Sequence, residues 1–152
     1  MLILIIGAVV LLALDLITKA VFIGEGFALI PGLLSVLPTR NFGAAFGIFQ
    51  DTQVFLIIFT FVILAAGIVF YYKFKQGRKS VSFSIACAFA LGGAVGNLVD
   101  RVILGYVRDF LNFDFMNFPV FNLADVFLNV GMVLLVVYFV FVYKEKRNDN
   151  KS

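Results

Sequence analysis

With no histidine and a single cysteine, Cys87, any chemistry in this chain falls to carboxylates, lysines and hydroxyls. Ser-His and Cys-His catalysis are excluded, as is a metal site built on several Cys or His ligands. Cys87 stands in an apolar stretch, where a thiol is read as a small buried hydrophobe. Acidic residues are a better lead. Asp100, Asp109, Asp114 and Asp125 crowd one stretch of the sequence. Two carboxylates brought together cannot both ionise readily and tend to share a proton. The charged member can take a proton from water while the protonated member donates to a carbonyl or a leaving amine. Spacing alone does not select which two aspartates meet.

Other polar residues sit where the surrounding sequence makes them costly. Asp15 and Lys19 are one helical turn apart within an apolar run, with Thr18 beside Lys19. They read either as a mutually neutralising pair that snorkels to the surface or as part of a polar site. Asn97, in Gly96-Asn97-Leu98-Val99-Asp100-Arg101, demands a hydrogen-bond partner. Asn122 and Asp125 share a helix face, which a helix N-terminus alone would explain.

The elements that must position these groups follow from composition. Of 152 residues, 62% are apolar and 14% charged, and the mean hydropathy is +1.07. A soluble domain carries about 25% charged residues, so a water-soluble enzyme and a disordered chain are excluded. The net charge of +3 does not signal nucleic acid, because the twelve Lys and Arg form no single basic face. An all-α integral membrane protein of one domain, residues 1–152, is expected. Crossing the hydrocarbon takes about 20 apolar residues, and the four windows that qualify are 2–23, 54–72, 81–99 and 121–143. The first has no basic start and contains Asp15 and Lys19, so it reads as a retained helix rather than a cleaved leader. Ala88, Gly92 and Gly96 give the third span a face of small residues suited to close helix packing.

The link 73–79 holds four basic residues and no acidic one, and the tail 144–152 is also basic. By the positive-inside rule both face the cytoplasm. The links 24–53 and 100–120 are then outside, and the four crowded aspartates belong to the outer membrane boundary. In the first outer link, Phe27–Ile30 and Leu33–Leu37 flank Pro31-Gly32, which predicts a small extracytoplasmic β-sheet between the first and second spans.

Five motifs stand on this plan in order: Asp15-Leu16-Ile17-Thr18-Lys19, Asn41-Phe42-Gly43-Ala44-Ala45-Phe46, Gly96-Asn97-Leu98-Val99-Asp100-Arg101, Val107-Arg108-Asp109-Phe110 and Phe121-Asn122-Leu123-Ala124-Asp125. Together they resemble the lipoprotein signal peptidases, the bacterial type II signal peptidases, over nearly the whole chain from Asp15 through Gly131. The resemblance implies an aspartic endopeptidase of the bacterial cytoplasmic membrane with no metal or other cofactor. Its substrate would be a membrane-anchored prolipoprotein, cut just before a cysteine carrying diacylglycerol, with membrane lipids as the other partner. It implies Asp109 and Asp125 as the catalytic pair, with Asp100 competing for the first role. It casts Asn41, Gly43, Asn97, Asp100, Arg101 and Asn122 as substrate-orienting or supporting groups, and Asp15 and Lys19 as a structural pair. Arg108 departs from the apolar residue expected before Asp109; it either lowers the pKa of that aspartate or points outward. The competing class is a non-enzymatic four-span transporter or proton-channel subunit, for which Asp15 and Lys19 are the support.

Overall fold

The computed structural model describes residues 1–43, 52–75 and 80–143. Ala44-Ala45-Phe46, most of the basic link and the tail 144–152 lie outside them. Four helices are long and apolar enough to cross a membrane. They are α1 (Leu2–Val21), α2 (Gln53–Lys75), α3 (Val81–Leu104) and α4 (Leu123–Val137), the last running on through a π-helical segment, Tyr138–Tyr143. The largest departure from the expected limits is in α3, which continues past Val99 so that Asp100 and Arg101 are helical. Ser80 caps its start by accepting from the Phe83 N–H. Gly105, at φ 77°, ends it, a left-handed conformation that glycine adopts without a Cβ penalty.

α3 is the central helix, and its small residues set how near its neighbours come. On one side a Cβ on Gly92 would stand 2.9 Å from Leu11 Cβ of α1, and one on Gly96 would stand 2.5 Å from Asp15 Oδ2. On the other side Gly93 lies against the Ala124 and Leu128 backbone of α4. The small-residue face therefore packs α1, and Gly93, outside that face, admits α4. By contrast, α2 meets α3 mainly around an aromatic cluster at the start of α3, where Phe83 stacks on Tyr71 with ring centroids 5.7 Å apart and tilts against Tyr138 at 5.1 Å. Cys87 is half-buried against that cluster.

The sheet has three antiparallel strands in the order β1 (Phe27–Ile30), β2 (Leu34–Asn41) and β3 (Val107–Phe113). The first two flank Pro31-Gly32 as expected, with Gly32 at φ 74° and the Leu33 N–H donating to Ile30 O at 3.0 Å. The third strand comes from the link between α3 and α4, so the sheet draws on both links 24–53 and 100–120 and not only on the chain between the first two helices. Pairing of β2 with β3 shifts register between Val36 and Thr39, where Pro38, lacking an N–H, occupies the bulge. Beyond the bulge Thr39 faces Asp109 and Asn41 faces Val107. On the far edge of β3 the Phe110 and Leu111 N–H groups both donate to Phe121 O, at 3.0 and 2.8 Å, and the Phe121 N–H donates back to Leu111 O at 3.0 Å. This short bridge brings the residue before α4 alongside β3.

Candidate active site

Asp109 lies on the inward face of β3 and is 3% exposed. The register past the Pro38 bulge sets Asn41 diagonally across from it, and Asn41 Nδ2 donates to Asp109 Oδ2 at 2.9 Å. The Phe121 bridge puts Asn122 on its other side, where Asn122 Nδ2 donates to Asp109 Oδ1 at 2.6 Å. Both carboxylate oxygens are thus engaged by amides.

Asp125 reaches the same place by a different route. Asn122 is the N-cap of α4 and Asp125 its third residue, and the two form a capping box. Asn122 Oδ1 accepts from the Asp125 N–H at 3.0 Å, and the Asn122 N–H donates to Asp125 Oδ2 at 3.1 Å. The other oxygen, Oδ1, accepts from Asn97 Nδ2 of α3 at 2.7 Å. A helix-terminus reading of Asn122 and Asp125 therefore holds, and the same pair also builds the cluster: one asparagine orients a carboxylate from β3 with its side chain and one from α4 with its backbone.

The two carboxylates interact electrostatically. Burial raises the Asp109 carboxyl, and the charge of Asp125 raises it further; hydrogen bonds from Asn41 and Asn122 and the charge of Lys19 oppose this, leaving it pushed up to about 6. Arg101 supplies positive charge beside Asp125, Asp109 and Asp100. Its Nη2 donates to the Gly43 carbonyl at 3.1 Å, and its buried Nε has no hydrogen-bond partner among the described residues. Gly43 in turn donates its N–H to Asn41 Oδ1 at 2.9 Å, which fixes the turn that follows β2.

Behind this cluster a chain of alternating charge crosses the bundle. Lys19 Nζ lies 2.8 Å from Asp15 Oδ2 and 3.4 Å from Asp100 Oδ2, and it donates to Asn97 Oδ1 at 2.9 Å. Asp15 Oδ1 accepts from the Ala124 N–H in the first turn of α4 at 2.9 Å. Asp15 and Lys19 are fully buried, so the pair does not snorkel to the surface; it ties α1 to α3 and α4. Asp100 is fully occupied as well. Arg108 Nη2 donates to its Oδ1 at 2.7 Å and the Arg108 N–H to its Oδ2 at 2.9 Å. The structure thus brings Asp109 and Asp125 together around Asn122 and holds Asp100 apart with Arg108 and Lys19. Arg108 neither points outward nor pairs with Asp109. Asp114 lies out on the sheet, accepting from Ser35 Oγ at 2.6 Å and from Asn112 Nδ2 at 3.0 Å.

Sequence reasoning named the residues of this cluster but not the hydrogen bonds within it, among them Arg108 to Asp100, Lys19 to Asn97, and Asp15 to the Ala124 N–H. The equal count of basic and acidic side chains among Asp15, Lys19, Asp100 and Arg108 was the available signal. Nothing in the sequence marked the backbone donor at Ala124.

Comparison with known proteins agrees with this arrangement. The family described as signal peptidase II matches residues 7–141. A lipoprotein signal peptidase of Enterococcus faecalis is 41% identical over 118 residues, covering 78% of this chain and 72% of the relative. One from Brevibacillus brevis is 42% identical over 135 residues, covering 86% of this chain and 89% of the relative. A bacterial membrane enzyme solved by the in meso method at 2.3 Å superposes with a TM-score of 0.83 at 33% identity, covering 98% of this chain and 91% of that one. A family match across most of the sequence and a shared fold agree with a buried polar site built from all five motifs, and the chain belongs to the signal peptidase II family of membrane peptidases.

Proposed function

We propose that this peptidase is an aspartic endopeptidase in which Asp109 and Asp125 together activate water against a peptide bond. The observation that carries the reading is the placement of Asn122, which donates to one carboxylate from its side chain and to the other from its backbone. Burial and the charge of Asp125 raise the Asp109 carboxyl, and in this reading Asp109 is the proton donor and Asp125 the base. Asp125 takes a proton from water as the water oxygen bonds to the scissile carbonyl carbon, and Asp109 gives its proton to the carbonyl oxygen. Collapse of the tetrahedral intermediate breaks the C–N bond, the nitrogen leaves with a proton from Asp125, and the gem-diol proton returns to Asp109. The pair ends as it began, with one proton between two carboxylates, and no covalent intermediate forms.

The substrate of this reading is a prolipoprotein anchored in the same bilayer, cut immediately before its diacylglyceryl-modified cysteine. A site at the end of a lipid-exposed bundle suits a substrate whose chain and acyl groups are both in the membrane. Asn41, Gly43, Asn97, Arg101 and Asn122 then orient the peptide or the pair. The chain is a single integral domain of the bacterial cytoplasmic membrane, with both termini in the cytoplasm and the site toward the outer face. The rival transporter reading loses its support, because Asp15 and Lys19 spend their polar atoms on α3 and α4. Separate Asp109→Asn and Asp125→Asn variants are expected to insert normally and to leave a lipidated prolipoprotein uncut in detergent micelles containing EDTA. Full processing by either variant removes that residue from the mechanism.

A further inference from the structure

Lys19 has no part in the reaction just described, yet it is buried one hydrogen bond behind it. We propose that Lys19 is a positioning residue for the carboxylate pair: its ammonium fixes which way the Asn97 amide points, and so aims Asn97 Nδ2 at Asp125. This proposal rests on the aspartic reading above.

An asparagine amide has two chemically different ends on nearly the same shape. Asn97 Oδ1 receives two donors, Lys19 Nζ at 2.9 Å and Asn122 Nδ2 at 3.1 Å, while its Nδ2 donates to Asp125 Oδ1 at 2.7 Å. Turning the amide over would set its NH2 against an ammonium and another NH2, and its oxygen against a carboxylate. An ammonium carries three donors and no acceptor, so Lys19 is a partner that cannot adapt to the turned amide. Asn122 alone could adapt by turning its own amide, which would take its Nδ2 away from Asp109 Oδ1. Lys19 thus holds one orientation for two amides and, through them, for both carboxylates.

Its charge has a second effect. Among the described residues, the charged groups beside and behind the pair are Asp15 and Lys19 on α1, Asp100 and Arg101 on α3, and Arg108 on β3. With Asp109 and Asp125 these make four carboxylates against three cations. One proton on the pair brings the cluster to neutrality, which a low-dielectric setting favours. Removing the charge of Lys19 alone leaves a further negative charge, and the pair then holds its proton to higher pH.

Two variants separate orientation from charge. In Asp15→Asn/Lys19→Met one negative and one positive charge leave together, and the amide oxygen introduced on α1 can still accept from the Ala124 N–H. Its kcat on a lipidated prolipoprotein peptide is expected to fall at least tenfold, with KM within threefold of the parent and the pH limbs of kcat unmoved. In Lys19→Met the kcat loss is joined by a shift of both limbs to higher pH by at least half a unit. A double variant with kcat within twofold of the parent overturns the proposal, as does a well-folded single variant whose limbs stay in place. Asp109→Asn and Asp125→Asn are run alongside. If they retain turnover, the aspartic reading fails; if they are inactive while the double variant works normally, only the role of Lys19 fails.

Discussion

At the scale of single residues, Asp109 is the group whose ionisation is most perturbed outside the spans. Its carboxyl is pushed from 3.8 to about 6 by burial and by the Asp125 charge, so the folded protein binds that proton more tightly than the unfolded chain does. Stability from this group is therefore greatest below about pH 4 and is lost as pH rises toward 6. The loss amounts to up to about 3 kcal/mol. Asp109→Asn lacks this dependence. Its stability relative to the parent, followed by thermal unfolding in detergent, is expected to improve steadily between pH 4 and 6.5; a constant difference would show that Asp109 has an ordinary pKa. Asn122→Ala belongs to the same scale with the opposite outcome. It removes a helix cap worth about 1 kcal/mol and also the side-chain donor to Asp109. A loss of turnover well beyond the modest fall in melting temperature is expected, because the cap only holds α4 whereas the amide holds the carboxylate.

At the scale of elements, the decisive contacts are those that α3 makes through residues without side chains. A Cβ at Gly96 would stand 2.5 Å from Asp15 Oδ2, 3.1 Å from Asp15 Cγ and 3.2 Å from Ala124 Cβ. Gly96→Ala must therefore push Asp15 away from both Lys19 and the Ala124 N–H, at a cost of roughly 2 to 4 kcal/mol. Gly67 of α2 is the control, since nothing lies within 4 Å of a Cβ there. Gly67→Ala is expected to be neutral or to stabilise by up to about 1 kcal/mol through helix propensity alone. Equal destabilisation by the two, read by unfolding in the same detergent, would mean that the close approach of α1 to α3 is not what holds the site. The small-residue face on α3 and the Pro31-Gly32 turn were legible because periodicity and turn chemistry are local. The third strand was not. Asp109 takes the inward face of β3, between the buried Val107 and Phe110, and a carboxylate there breaks the alternation by which a strand is recognised. The pairing of Asp109 with Asp125 was equally hidden in the spacing, because it depends on the Phe121 bridge, a backbone contact between segments that neither residue announces. Motif resemblance, rather than periodicity, singled out those two aspartates.

Across the whole molecule, the aromatic cluster and the polar network sit at opposite ends of α3. Phe83, Tyr71 and Tyr138 cluster at its start, while Asn97, Asp100 and Arg101 stand toward its end. From Phe83 to Asn97 is fourteen residues, or about 21 Å along a helix axis. The aromatic cluster is the main attachment of α2, which otherwise presents most of its surface outward. Lipid is as apolar as these rings, so the gain from the cluster is packing rather than escape from water. Phe83→Ala removes a ring that is 2% exposed and stacked on Tyr71, and it should cost about 1 to 3 kcal/mol. The hydrogen bonds that tie α1, α3, α4 and β3 to one another run between those elements themselves; α2 touches the adjoining loop through Gln53 Nε2, which donates to Phe42 O. Below its lowered melting temperature, Phe83→Ala is therefore expected to keep the turnover of the parent within about twofold. Gly96→Ala, at the other end of the same helix, should lose turnover even where it is fully folded. If Phe83→Ala instead loses kcat in proportion to its stability, the site depends on where α2 sits, and the independence of the two ends of α3 is refuted.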